Sequence, residues 1–158
     1  MHWVGFVCLS DPVRPDVKES LIKAHQAGIK LIVITDDYAK TAQYIIQQLE
    51  TKLLASDIME GTDLAAMSDE DLQKRIDKDT QVKLFARTRP EQKMRIVNAL
   101  KHNDEIVAMM GDGVNDAPAL KKADIGIVVG EASDVAKESA DLILLDSSFS
   151  TIVAAVEE

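Results

Sequence analysis

The chain has 158 residues, enough for one domain with a real core. It is 46% hydrophobic and 28% charged, a soluble globular balance, but only 4% aromatic, so the core must be built from Val, Ile, Leu, Ala and Met. A net charge of −9 with no long basic run argues against nucleic acid or anionic membrane surfaces as partners, and no apolar run approaches the ~20 residues a membrane helix needs.

The N-terminal residues carry no pattern of a secretory leader. One cysteine, Cys8, rules out an internal disulfide and suits a reducing compartment. It sits in the apolar run Trp3 to Leu9, so it reads as a buried structural thiol in a first strand. Asp11-Pro12-Val13-Arg14-Pro15 ends that run. Pro15 suits the first turn of a helix over 16–27, and Gly28 suits its stop.

Leu31 to Ile34 is apolar and β-branched with no polar alternation, as in a parallel strand covered on both faces. Thr35-Asp36-Asp37 closes it. A helix over 39–49 follows, with Ala42, Ile45, Ile46 and Leu49 on one face. Leu53 to Ile58 is a weaker strand, ending near Gly61. Ser68 caps a helix that runs to about Ile76, with Asp71 at its third position. Val82 to Ala86 is a short strand. Pro90 then opens a helix that carries Lys93 and buries Met94, Ile96, Val97 and Leu100.

Ile106 to Met110 is the next strand, followed by Gly111-Asp112-Gly113-Val114-Asn115-Asp116 and a short helix over 117–122. Ile125 to Val129 is a strand bounded by Gly130, residues 133–140 are helical, Leu142 to Leu145 is a strand, and residues 148–157 form the last helix. No repeat or low-complexity linker interrupts this alternation. It predicts a single three-layer α/β domain over 1–158 with a mostly parallel sheet.

The loop after Met110 is the most informative stretch. Ligands of open α/β sheets bind at the carboxyl ends of the strands. Two carboxylates and a carboxamide crowd this strand end, and Mg²⁺ takes one or two carboxylates together with phosphate oxygens and water. Gly111 and Gly113 allow the backbone to turn tightly and approach a phosphate. If the strands are parallel, the other strand ends face the same way. Asp11 and Arg14 follow the first strand, Thr35 and Asp37 the second, and Arg87 the Val82 strand, with Lys93 in the helix beyond. A hydroxyl, an ammonium and a metal-binding carboxylate together suit a phosphoryl group.

The blocks MMGDGVNDAPALKKADIGIVVG and SDVAKESADLILLD, preceded by DPVRP, ITDD, GTDLAAMSDEDL and FARTRPEQK, resemble the phosphorylation domain of P-type cation-transporting ATPases. Those proteins belong to the haloacid-dehalogenase superfamily, whose domain is three-layer and Rossmann-like. The resemblance covers nearly the whole chain in order. KKADIGI and SDVAKESAD look most like the calcium and sodium/potassium pump branch.

The resemblance implies Mg²⁺ as cofactor and ATP or phosphate as ligand, on the cytosolic side of a membrane pump. It implies that Asp112 holds Mg²⁺, with Asp116 as a second metal-side carboxylate. Asn115 and Asp116 would order the loop and the phosphate, with Gly113 beside it. Lys93 would stabilise phosphoryl oxygens, Thr35 would hydrogen-bond one, and Asp37 would support the site. Arg14 and Arg87 would lie on the nucleotide side.

Three features depart from the family pattern. The Asp-Lys-Thr-Gly-Thr motif, whose Asp is the nucleophile, is absent from these residues. So are the nucleotide-binding insert and the membrane helices. Asp36 stands where the family has Gly, adding a carboxylate beside the phosphate. The chain is expected to be the C-terminal part of a phosphorylation domain, fragmentary or degenerate, and inactive alone in autophosphorylation. The missing segment includes the superfamily's central strand, so two strand edges should lie open. The remainder of a P-type ATPase or a second chain would fill the gap, or Trp3 to Leu9 would move into it and bring Asp11 to the nucleophile position. Two alternatives stand beside this reading: a stand-alone phosphatase using Asp11, and a non-catalytic Mg²⁺- and phosphate-binding or assembly module.

Overall fold

The computed structural model describes residues 2–7, 12–49, 52–77, 82–146 and 148–157. Helices and strands alternate: α1 (Pro15–Gln26), β1 (Val33–Ile34), α2 (Ala39–Gln48), β2 (Ile58–Glu60), α3 (Gly61–Ala66), α4 (Asp69–Arg75), β3 (Leu84–Ala86), α5 (Pro90–His102), β4 (Ala108–Met110), α6 (Ala117–Lys122), β5 (Ile125–Val129), α7 (Asp134–Ser139), β6 (Leu142–Leu144) and α8 (Phe149–Glu157). The sequence patterns account for most boundaries. Pro15 and Pro90 stand in the first turns of α1 and α5. Ser68 and Ser133 accept the Asp71 and Ala136 N–H groups and so start α4 and α7.

Every strand pairing is parallel, as expected of an α/β fold, but the strands form two ladders. The first has the order β1-β3-β2, with Ile34 beside Phe85 and Met59 beside Phe85. The second has the order β4-β5-β6, with Met109 beside Gly126 and Val128 beside Ile143. Among the described residues β1 pairs only with β3 and β4 only with β5, so each offers an open edge.

In the first half, β3 is buried on both faces. Leu84 and Ala86 pack with Ala42 and Ile46 of α2. Phe85 points the other way, into a cluster with Leu64, Leu72, Ile76, Ile96 and Ala99. Helix–sheet–helix layering is therefore complete there. In the second half, Met109 and Val128 pack with Val97, Leu120 and Ala136. Helix α5 serves both halves: Ile96 and Ala99 enter the first core, and Val97 the second. Its Met94 and Leu100, expected to be buried, are only partly so.

Two expected elements differ. Residues 2–7 form no strand. Trp3, Val4, Phe6 and Val7 are 74–96% exposed, and Trp3 and Phe6 make a T-shaped ring pair at 5.1 Å. Apolar content gives a strand only where an edge receives it, and no described edge pairs with this segment. Cys8, Leu9 and Asp11 lie outside the described residues. The strand expected over 53–58 begins only at Ile58, because the Asp57 carboxylate accepts the Leu54 N–H at 3.0 Å and closes a 3₁₀ turn over Ala55–Asp57. Among the described residues no helix is long and apolar enough to cross a membrane.

Candidate functional site

The carboxyl ends of β1 and β3 are stitched together by backbone bonds. Thr35 follows β1, and its carbonyl accepts both the N–H and the Oγ1–H of Thr88, at 3.0 and 2.9 Å. The Thr35 Oγ1 accepts the Asp37 N–H at 3.1 Å, which leaves its own proton free to donate outward. The Asp37 carbonyl in turn accepts the Arg87 N–H at 3.0 Å. Asp36 and Asp37 are both exposed.

The carboxyl end of β4 is built differently, around one buried ion pair. Lys93 lies in the first turn of α5 and is 8% exposed, and its Nζ donates to Asp116 Oδ1 at 2.6 Å. The other Asp116 oxygen accepts the Gly113 N–H at 3.3 Å, so both oxygens are engaged. Gly111 makes this possible, since an added Cβ there would stand 2.6 Å from the Asp116 Cβ. The Asp112 carbonyl accepts the Ser133 N–H at 2.9 Å, tying the loop to the start of α7. The Asp112 carboxylate faces outward, exposed, beside a small cavity of about 210 Å³ lined by Met110, Gly111, Asp112 and Val129. Asn115 is exposed in the 3₁₀ turn Val114–Asp116.

The predicted site residues thus fall into two groups. Thr35, Asp37 and Arg87 are joined at the first sheet, and Lys93, Asp112, Asn115 and Asp116 gather at the second. No hydrogen bond or ion pair among the described residues joins the groups directly. Their link is the short run from Thr88 to Lys93, which leaves β3 and enters α5. Arg14, also predicted, is exposed and precedes α1, which packs against α8.

The ammonium of Lys93 is held where it can offer remaining donors to an anionic oxygen. The Thr35 hydroxyl can donate to another. For a divalent cation, Asp112 is the carboxylate that has no hydrogen-bond or ion-pair partner among the described residues, whereas Asp116 is committed to Lys93 and Gly113. Among the described residues no group of three or more His, Cys, Asp or Glu side chains forms a closed metal cage. One open carboxylate suits Mg²⁺, which keeps several waters and shares phosphate oxygens, better than a metal that needs an all-protein site.

Four supporting residues were not singled out in the sequence. Thr88 locks β1 to β3. Gln92 accepts the Arg89 N–H at 2.8 Å and donates to the Gly61 carbonyl at 2.6 Å, joining α3 to the start of α5. A Gln three residues past a helix start is a legible capping signal. Gly61, where an added Cβ would collide with the Arg87 carbonyl, and Tyr38, whose ring centroid lies 4.4 Å from the Arg87 guanidinium carbon, carry no such signal, because these contacts depend on a partner distant in sequence or on side-chain direction.

Known proteins resemble this chain in sequence and fold. Residues 2–124 match the haloacid dehalogenase-like hydrolase family, and residues 93–156 match a second family of the same description. A calcium-transporting ATPase of Bacillus cereus is 45% identical over 157 residues, which is 99% of this chain and 17% of that protein. A calcium-transporting ATPase of Saccharomyces cerevisiae is 43% identical over 161 residues, again 17% of its length. The chain therefore spans about one-sixth of these relatives. Among solved structures, the catalytic domain of the CPx-ATPase CopB-B superposes with a TM-score of 0.70 at 28% identity, covering 94% of this chain and 47% of that one. A zinc-transporting PIB-type ATPase in the E2.Pi state gives a TM-score of 0.69 at 28% identity, covering 93% and 19%.

Proposed function

The chain belongs to the haloacid dehalogenase-like hydrolases, and from that premise we propose that residues 1–158 are the C-terminal part of the phosphorylation domain of a P-type cation-transporting ATPase of the calcium-pump kind. The parent protein would hydrolyse ATP through an aspartyl phosphate, on the cytosolic side of a membrane, and couple this to cation transport. A segment outside these residues, or a second chain, would supply the nucleophile and the strand between β1 and β4.

The observation that carries this reading is the buried Lys93–Asp116 pair below an outward Asp112, at the carboxyl end of β4. Asp116 serves Lys93: it fixes the ammonium so that its free donors meet phosphoryl oxygens without further ordering. Thr35 offers its hydroxyl to another such oxygen. Asp112, with Asn115 beside it, is the residue that would hold Mg²⁺, which when bound would neutralise charge on the phosphoryl group. Gly113 leaves the loop backbone open to the phosphate. Asp37 braces the Thr35 loop, and Arg87 and Arg14 are assigned to the nucleotide side.

Thermal unfolding of the purified chain tests the reading. Mg²⁺ with inorganic phosphate should raise the melting temperature, and Asp112→Asn should remove that rise. The chain alone should take up no acid-stable, hydroxylamine-labile phosphate from labelled ATP. Absence of any effect of Mg²⁺ or inorganic phosphate would sink the reading, as would turnover of a simple phosphomonoester that Asp11→Asn abolishes.

A further inference from the structure

The loops after β1 and β3 meet at a residue whose backbone is constrained. Arg87 has φ 55°, in the left-handed region that a non-glycine residue occupies only where its surroundings hold it. Two neighbours do so. Its N–H donates to the Asp37 carbonyl at 3.0 Å. Its own carbonyl lies so close to Gly61 that an added Cβ there would collide with it. Gln92 keeps Gly61 in place through the 2.6 Å bond to its carbonyl. The root of the Arg87 side chain is fixed, although the side chain itself is exposed.

The far end is held as well. The guanidinium carbon stands 4.4 Å from the centroid of the Tyr38 ring, within cation–π range. Tyr38 is 66% exposed and belongs to no core cluster among the described residues. Its carbonyl, not its side chain, starts α2 by accepting the Thr41 and Ala42 N–H groups. The ring therefore has no evident packing duty. Two exposed carboxylates, Asp36 and Asp37, lie in the same loop, yet neither forms an ion pair with Arg87 among the described residues. The guanidinium rests on an uncharged face and keeps its donors available.

We infer that Tyr38 is a positioning residue for Arg87, holding its guanidinium beside the Thr35 loop to receive an anionic phosphate oxygen of the ligand. This rests on the reading that these strand ends take a phosphate-bearing ligand. The planar guanidinium fork matches phosphate oxygens. Holding it in place reduces the side-chain freedom that binding would otherwise remove.

NMR of the purified chain reads the contact without any ligand. The Arg87 side-chain protons should be shifted upfield by the ring, lose that shift in Tyr38→Ala and retain it in Tyr38→Phe. Calorimetric titration with Mg·ATP should show affinity about two- to fivefold weaker in Tyr38→Ala, restored in Tyr38→Phe, and no further loss when Tyr38→Ala is added to Arg87→Ala. A parallel titration with inorganic phosphate and Mg²⁺ distinguishes the oxygen met. An effect on ATP alone assigns Arg87 to the nucleotide's other phosphates, and an effect on both assigns it to the phosphoryl position. Unshifted Arg87 protons in the unaltered chain overturn the inference, as does full affinity in Tyr38→Ala. If the shift is present but neither probe binds the unaltered chain, the phosphate-site reading fails and takes the ligand role with it.

Discussion

The two halves of the molecule share an arrangement of three parallel strands but differ in how completely they are covered. In the first half β3 is fully buried, because α2 covers one face and α3, α4 and α5 the other. In the second half α5, α6 and α7 cover one face through Val97, Leu120 and Ala136. On its strands Met110, Ile125, Leu142 and Ile143 remain 40–45% exposed. The site groups follow the same division. The first is a lattice of backbone bonds around Thr35, and the second depends on one buried ion pair. A backbone lattice tolerates the loss of a side chain, whereas a buried charge whose partner is lost has no water to turn to.

The largest expected effects break this contrast at each core. Phe85→Ala should cost about 3–5 kcal/mol in urea unfolding. Hydrogen exchange on the same variant should show whether the loss extends to β5; exchange confined to the first half would mean that α5 does not couple the two. Lys93→Ala should cost about 3–5 kcal/mol by leaving Asp116 charged and buried. Lys93→Met combined with Asp116→Leu should recover a large part of it, and a double variant as unstable as the single would show that the pair is not the source. Next, Gly111→Ala should cost about 1–3 kcal/mol, since Asp116 must shift to admit the Cβ.

A smaller effect is expected in the first half. Thr88→Val should cost about 1 kcal/mol, because the Thr35 carbonyl keeps the Thr88 N–H when the hydroxyl is lost.

Acid should weaken two carboxylate contacts in the second half. A hydrogen bond from Lys101, then the Val107 N–H, holds the Asp124 carboxyl below its ordinary value. The Thr151 hydroxyl, then the Ser148 N–H, does the same for Asp146. Both pKa values are depressed on folding, so their stabilisation is present above the unfolded value and is lost as pH falls through the folded one. Asp124→Asn should flatten that acid limb of stability below about pH 4, measured by urea unfolding across a pH series. An acid limb unchanged in this variant would remove Asp124 from the account.

Much of the architecture was legible locally. Pro15, Ser68, Pro90 and Ser133 mark helix starts through contacts within a few residues, and the unalternating apolar runs marked parallel strands. The same reasoning failed at residues 2–7, where a strand-like run pairs with no described edge. It also missed the 3₁₀ turn at Asp57, whose carboxylate competes for the backbone. Within the site, the residue types at the strand ends were readable, but their partners were not.

From its sequence alone, then, this protein is an α/β chain with chemistry-bearing residues at the ends of parallel strands. Periodicity, capping and turn formation act over a few residues and leave their record in order along the chain. Only the tertiary structure commits Asp116 to Lys93, 23 positions away, and leaves the Asp112 carboxylate without a partner among the described residues. Only there is Arg87 set against Gly61 and the Tyr38 ring, and only there are β1 and β4 identified as strands with an open edge among the described residues. Those outcomes depend on which elements meet and which faces they present, and no local pattern carries that information.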